Sequence, residues 1–208
     1  MSADNADKGD TLVQVTASTS CGDSQPCWSP DGKHIAYVTE PGARKVAWYA
    51  TPHLAIAPSN GSGANSPRVL TKELDRNVSS PFFMHGDSGR VFFGVEDSGR
   101  SELVSIATDG TDLQRLLSGE FSVGAVHMPG ATPLAPGIPG TSQVDGVAVV
   151  SYPHRPSEIY TIASSTTGGL RRFTSVNDAW LSELRLGSVE KVSFECKDER
   201  PYEKVGVT

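Results

Sequence analysis

Cysteine is scarce: Cys21, Cys27 and Cys196 are all that 208 residues contain. Three make neither an even disulfide framework nor a Cys-x-x-Cys metal or redox pair. Idle or buried thiols in a reducing compartment fit that number, with a Cys21–Cys27 bridge as the alternative. Positive charge is short too, 18 Lys+Arg against 24 Asp+Glu for a net −6. Without a basic surplus for phosphates, no nucleic acid partner is expected. No apolar run reaches the roughly 18 residues of a membrane span, so no membrane partner is expected either. The start, MSADNADKGD, lacks a basic n-region and an apolar h-region. No secretory signal is expected there, which points to the cytoplasm. Helical spacing is missing nearly everywhere. The best candidate, around Asp178, sets Trp180, Leu181, Leu184 and Arg185 on one side over two turns at most, and a turn of helix or an extended segment both suit it.

What is abundant is turn residues. The 21 Gly and 14 Pro are about 17% of the chain against an ordinary value near 12%, while hydrophobic residues reach only 37%. Between the turns lie short alternating runs rich in β-branched and aromatic residues, such as His34-Ile-Ala-Tyr-Val38, Arg90-Val-Phe-Phe-Gly-Val95 and Gly146-Val-Ala-Val-Val-Ser151. An all-β fold follows.

The runs recur in a fixed order. One unit opens at Cys27-Trp28, continues through Ile35–Val38 and Val46–Ala57, and closes at Arg68–Thr71. The next takes Pro81–Phe83, Val91–Val95, Glu102–Ala107 and Gln114–Ser118. The third takes Phe121–His127, Val147–Ser151, Glu158–Ala163 and Leu170–Thr174. The closing Thr71, Ser118 and Thr174 stand 47 and 56 residues apart, near the period of about 40–50 residues of propeller blades. A partial β-propeller with WD40-like four-stranded antiparallel blades is therefore expected. Its parts are 1–20, the end of a preceding blade or a disordered start; 21–175, about three blades; and 176–208, a closing strand and linker.

The turns explain the recurrence. In Ser29-Pro-Asp-Gly32, proline fixes φ, the aspartate bonds its own backbone and glycine takes the positive φ of a tight reversal. Trp28 and Tyr37 should then point into the layer between blades. Asp97-Ser-Gly and Thr108-Asp-Gly-Thr are turns of the same kind. Met128-Pro-Gly through Gly140 cannot pair in a ladder and reads as an exposed insertion.

The element Trp28-Ser-Pro-Asp-Gly-Lys with Ile35-Ala-Tyr resembles the repeated blade opening of prolyl oligopeptidase-type serine peptidases, in particular the acylaminoacyl-peptidase and dipeptidyl-peptidase-like branch. The tail is similar to that family's last blade, in the order Pro156-Ser-Glu-Ile-Tyr, Gly169-Leu-Arg-Arg-Phe-Thr, Asn177-Asp, Leu184-Arg-Leu-Gly and Val189-Glu-Lys-Val-Ser-Phe. The resemblance runs from about Val13 to Phe194. It implies a parent with an α/β-hydrolase domain and a peptide substrate, this chain being the non-catalytic propeller portion that gates and positions substrate. Two departures stand out: Lys197-Asp-Glu-Arg-Pro201 replaces the family's Asp-Gly hairpin, and no Gly-x-Ser-x-Gly nucleophile elbow occurs. The chain as it stands is thus expected to carry no catalytic residue, no cofactor and no metal.

Candidate contacts to substrate are few. Glu73, Asp75 and Arg76 form a charged cluster after the first unit that could touch a peptide terminus, and Arg155 lies between Pro153 and Pro156. A solvated loop is the plainer reading of both. His34, His53, His85, His127 and His154 are scattered without the spacing of metal ligands. Asp87-Ser-Gly and Asp97-Ser-Gly have too few carboxylates for a hard cation and read as turns. Asn60-Gly-Ser and Asn77-Val-Ser match the glycosylation sequon, a pattern too short to fix a compartment. The competing function is a stand-alone WD40-like propeller serving as a protein-interaction platform. In either case three blades leave open edges, through which self-association is expected.

Overall fold

The computed structural model describes residues 13–17, 21–42, 50–62, 67–128, 146–163, 169–195 and 201–207. They are almost entirely strands in consecutive meanders. The first sheet is β1 (Cys21–Trp28), β2 (His34–Pro41), β3 (His53–Pro58) and β4 (Arg68–Val69), paired in chain order. The second is β5 (Val78–Phe83), β6 (Arg90–Asp97), β7 (Arg100–Ala107) and β8 (Gln114–Leu117). The third is β9 (Ser122–His127), β10 (Gly146–Tyr152), β11 (Arg155–Ile162) and β12 (Leu170–Arg172). A single turn of helix, α1 (Asp178–Leu181), precedes a hairpin of β13 (Val189–Glu195) and β14 (Pro201–Val207). Three four-stranded antiparallel meanders thus stand where the recurring runs predicted them. The chain divides into two compact units, 1–93 with 106–113 and 94–105 with 114–208, the division running through β6 and β7.

Each reversal has an identifiable cause. Gly32 has φ +69°, its N–H donates to the Ser29 carbonyl at 2.9 Å, and the Lys33 N–H donates to Asp31 Oδ1 at 3.1 Å. Ser98 and Gly99, at φ +51° and +75°, form a two-residue connection between β6 and β7 whose twist suits a hairpin. Asp109 Oδ1 accepts from both the N–H and the hydroxyl of Thr111. Gly89 N–H donates to Asp87 Oδ1 at 2.8 Å, which is turn chemistry again.

In the first unit, β2 and β3 are buried on both faces. Tyr37, Ala55 and Ala57 line one face, with Val15 and Val69 packed on them. Ala36, Val38, Leu54 and Ile56 line the other, all buried, on the side taken by β5, which packs beside β1, β2 and β3. Phe92 is buried and stacks on Phe82 with ring centroids 5.4 Å apart. Together these side chains make an apolar layer between one meander and the start of the next.

Two expectations need correction. Trp28 does not enter that layer; it is 62% exposed. It pairs with Ile35, so its side chain shares the face of Tyr37, against which Val15 and Val69 pack among the described residues. The second long strand of the first meander begins at His53 rather than Val46, and 43–49 lie outside the described residues. Around the segment that stands in place of the Asp-Gly turn, β13 and β14 pair from Val189↔Val207 to Glu195↔Pro201. The Pro/Gly stretch falls almost wholly on 129–145, outside the described residues, as does Cys196.

Candidate functional site

The four residues singled out from the sequence fall in two places. Glu73, Asp75 and Arg76 are exposed on the connection from β4 to β5, in the first unit. That connection is braced by the Leu74 N–H to the Thr71 carbonyl at 3.0 Å, and Arg76 Nη1 donates to the Asp75 carbonyl at 2.6 Å. Arg155 opens β11 in the second unit, opposite Tyr152 across the turn, and is exposed.

The best-built polar cluster is one that composition and spacing did not disclose. Glu158, on β11, is buried in the third meander. Its Oε1 accepts from the Asn177 N–H at 3.0 Å, from Asn177 Nδ2 at 3.0 Å and from Arg172 Nη2 at 3.2 Å. Its Oε2 accepts from the Thr174 hydroxyl. Arg172 also donates to both oxygens of Asp178, at 2.8 and 2.5 Å. The Thr174 hydroxyl and Asn177 backbone bonds hold the Glu158 carboxyl down to about 2, against the opposing effect of burial. Arg172 beside it likewise holds Asp178 below the usual carboxylate range, helped by Arg155 nearby. Every residue lies in the stretches Pro156–Tyr160, Gly169–Thr174 and Asn177-Asp178. The signal was therefore present as a sequence pattern, but nothing in the pattern says that a carboxylate collects the other groups.

A carboxylate that accepts from four donors is held far from the pKa of a general base. The cluster instead locks the chain leaving β12 onto β11. Serine hydroxyls are similarly engaged: Ser29 Oγ donates to Asp31 Oδ1 at 2.6 Å and accepts from the His34 N–H at 2.9 Å, and Ser88 Oγ accepts from the Asp31 N–H at 3.0 Å. Among the described residues no group of three or more His, Cys, Asp or Glu could hold a metal ion. Cys27 is a free thiol, pushed up to about 11 by burial. Cys21 and Cys27 pair with positions five residues apart on β2, roughly 16 Å of strand, too far for a disulfide between them. No helix among the described residues is long and apolar enough to cross a membrane.

No family model and no curated protein matches the sequence. Solved structures do. The acylaminoacyl peptidase of Pyrococcus horikoshii is similar with a TM-score of 0.59 at 13% identity, over 87% of this chain and 24% of that one. The β-propeller domain of the trilobed protease from Pyrococcus furiosus, which has an open velcro topology, is similar with a TM-score of 0.50 at 17% identity, over 76% of this chain and 41% of that one. This chain has the fold of part of a β-propeller. Its meanders are blades. An oligogalacturonate lyase in complex with manganese shares the fold with a TM-score of 0.55 at 14% identity, over 77% of this chain and 43% of that one. Identities this low carry the architecture, and the chain spans about a quarter of the length of the peptidase it matches.

Proposed function

We propose that this chain is the non-catalytic propeller portion of a prolyl oligopeptidase-type serine peptidase, limiting access of peptides to a separate α/β-hydrolase domain and helping to hold them. The observation that carries this reading is the buried Glu158 cluster. It gives a physical purpose to the tail that resembles the last blade of that family, since Glu158, Thr174 and Asn177 are what the pattern Glu-Ile-Tyr, Phe-Thr and Asn-Asp brings together. The likeness to a peptidase propeller over 87% of the chain supports it. Exposed Glu73, Asp75 and Arg76 are the groups we assign to the peptide termini, with Arg155 as a further contact.

A propeller does not by itself imply a peptidase, as the lyase shows. A stand-alone interaction platform is the second reading, favoured by the absence of Gly-x-Ser-x-Gly from these 208 residues. Labelling the full-length gene product with a fluorophosphonate and mapping the modified peptide separates the two. A labelled serine in a nucleophile elbow on the same polypeptide is expected. A full-length product without a reactive serine overturns the peptidase reading.

A further inference from the structure

Three turns of the first unit share one build. Ser29-Pro-Asp31-Gly32, Pro58-Ser-Asn60-Gly61 and Ala107-Thr-Asp109-Gly110 each end on a glycine at positive φ, +69°, +75° and +88° in that order. Each glycine N–H donates to the carbonyl three residues back, at 2.9, 3.2 and 2.8 Å. The side chain before each glycine accepts from the N–H two residues on, Asp31 from Lys33 at 3.1 Å, Asn60 from Ser62 at 3.0 Å and Asp109 from Thr111 at 2.9 Å. That bond folds the side chain back over the peptide joining it to the glycine. An aspartate suffices for such a turn, and Asn60 is the member of the set whose side chain is a neutral carboxamide.

The difference is one of reactivity. A carboxylate repels a nucleophile, and Asp31 and Asp109 are held below the ordinary carboxylate range, first by the hydroxyls of Ser29 and Thr111 and then by the backbone N–H groups of Lys33 and Thr111. A carboxamide can be attacked. The Ser62 N–H polarises the Asn60 side-chain carbonyl and steadies the charge that attack would place on its oxygen. The nearest attacker is the next backbone nitrogen, which glycine leaves least obstructed because no Cβ stands beside it. Asn60 and Ser62 are exposed, so water reaches the site. The bond from the Gly61 N–H to the Pro58 carbonyl must open first, and it is the longest of the three.

We infer that Asn60 is a self-modifying site, at which the Gly61 nitrogen closes onto the Asn60 side chain, releases ammonia and leaves isoaspartate that loosens the 13–17 segment. The Gly61 nitrogen gives its proton to hydroxide and bonds to Asn60 Cγ. The Cγ–Nδ2 bond then breaks, and Nδ2 leaves as ammonia with a proton from water, which closes a five-membered imide. Water opens the ring in either of two ways. Cleavage of the Gly61 nitrogen from Cγ gives an aspartate, whereas cleavage from the main-chain carbonyl gives isoaspartate, with one more carbon in the backbone. The tip of the turn lies hard against its neighbour: a Cβ on Gly61 would stand 2.6 Å from Val13 Cγ1 and 2.7 Å from the Gln14 carbonyl oxygen. The same segment supplies Val15 to the cover of Tyr37, Ala55 and Ala57. A longer backbone at the tip therefore displaces that cover, whatever the function of the parent protein.

Ageing the chain at pH 8 and 37 °C tests it. Peptide mapping, with fragment ions that separate Asn60 from Asn65, is expected to find isoaspartate at Asn60 forming about tenfold or more faster than at exposed Asn77, whose next residue is the β-branched Val78. Ammonia release is expected to fall in Asn60→Gln, which cannot close a five-membered ring. Hydrogen exchange reads the consequence. The amides of 13–17 are expected to exchange faster in aged wild type, but not in aged Asn60→Gln or in fresh Asn60→Asp, which keeps both the acceptor of the turn and the length of the backbone. Should Asn60→Gln loosen 13–17 when fresh, Asn60→Ser takes its place. Modification at Asn60 no faster than at Asn77 overturns the inference, and isoaspartate at Asn60 with unchanged exchange in 13–17 overturns the loosening.

Discussion

Glu158 and Asn177, nineteen residues apart, are joined by two hydrogen bonds to one carboxylate oxygen, from the Asn177 backbone and side chain, each at 3.0 Å. The pairing makes the passage from β12 to α1 a fixed corner, although no side chain of α1 is buried. A corner held by charge-assisted bonds rather than apolar packing responds to pH.

The direction follows from the carboxyl's two states. Its folded value of about 2 lies below the ordinary 4.5, so its contribution to stability is complete above about pH 4.5 and is lost as pH falls toward 2. Glu158→Gln keeps the shape and removes the charge. It is expected to lower Tm at pH 7 by at least about 5 °C and to flatten the acid limb of the Tm-against-pH curve between pH 4.5 and 2. An unchanged acid limb would assign the acid sensitivity to other carboxylates.

Thr71 closes blade 1 as Thr174 closes blade 3, but Thr71 is 2% exposed and its acceptor serves the buried Leu54 N–H. Thr71→Val keeps the volume and orphans that donor. A loss of about 1–3 kcal/mol in denaturant unfolding is expected, the penalty of one buried unsatisfied amide. A loss below about 0.5 kcal/mol would mean that the shared bond is incidental to the blade.

The strand order was legible because two signals coincided in it. The alternation of Arg90–Val95 or Gly146–Ser151 marked strands, and Asp-Gly or Ser-Gly pairs marked their ends, both being local properties that tertiary structure reinforced. Trp28 was misjudged because the sequence shows that a tryptophan precedes a blade turn but not which face of β1 it takes or whether a neighbour is there. The Glu158 cluster was hidden for a related reason. Its members come from three segments, and a glutamate in a strand carries no local mark of burial. Glu73, Asp75 and Arg76 could be singled out because charge runs on loops are visible, whereas their partners in space are not.

Glycine substitutions separate backbone strain from contact. Gly32 has φ +69° with nothing within 4 Å of an added Cβ, so Gly32→Ala is expected to cost about 1 kcal/mol from conformation alone. Gly61 has φ +75°, and its Cβ would lie 2.6 Å from Val13 Cγ1 and 2.7 Å from the Gln14 carbonyl. Gly61→Ala must push the 13–17 segment away as well. Denaturation should show the larger loss for Gly61→Ala, and hydrogen exchange should show faster amides in residues 13–17 for that variant only. Equal losses with unchanged exchange would mean that Val15 contributes little to covering Tyr37.

The last expectation concerns turnover by this chain. Among the described residues Ser29 is the serine hydroxyl most nearly arranged like a nucleophile, since it lies 2.6 Å from a carboxylate oxygen of Asp31. That carboxyl is held below its ordinary range, first by the Ser29 hydroxyl itself and then by the Lys33 backbone N–H, so it is a poor acceptor of the serine proton. The hydroxyl is also occupied by the His34 N–H, a backbone donor and not the imidazole that would relay a proton. Purified chain is therefore expected to hydrolyse p-nitrophenyl acetate no faster than an equal concentration of its Ser29→Ala variant. A fluorophosphonate adduct on Ser29, with turnover lost in that variant, would show that the turn holds an activated serine after all.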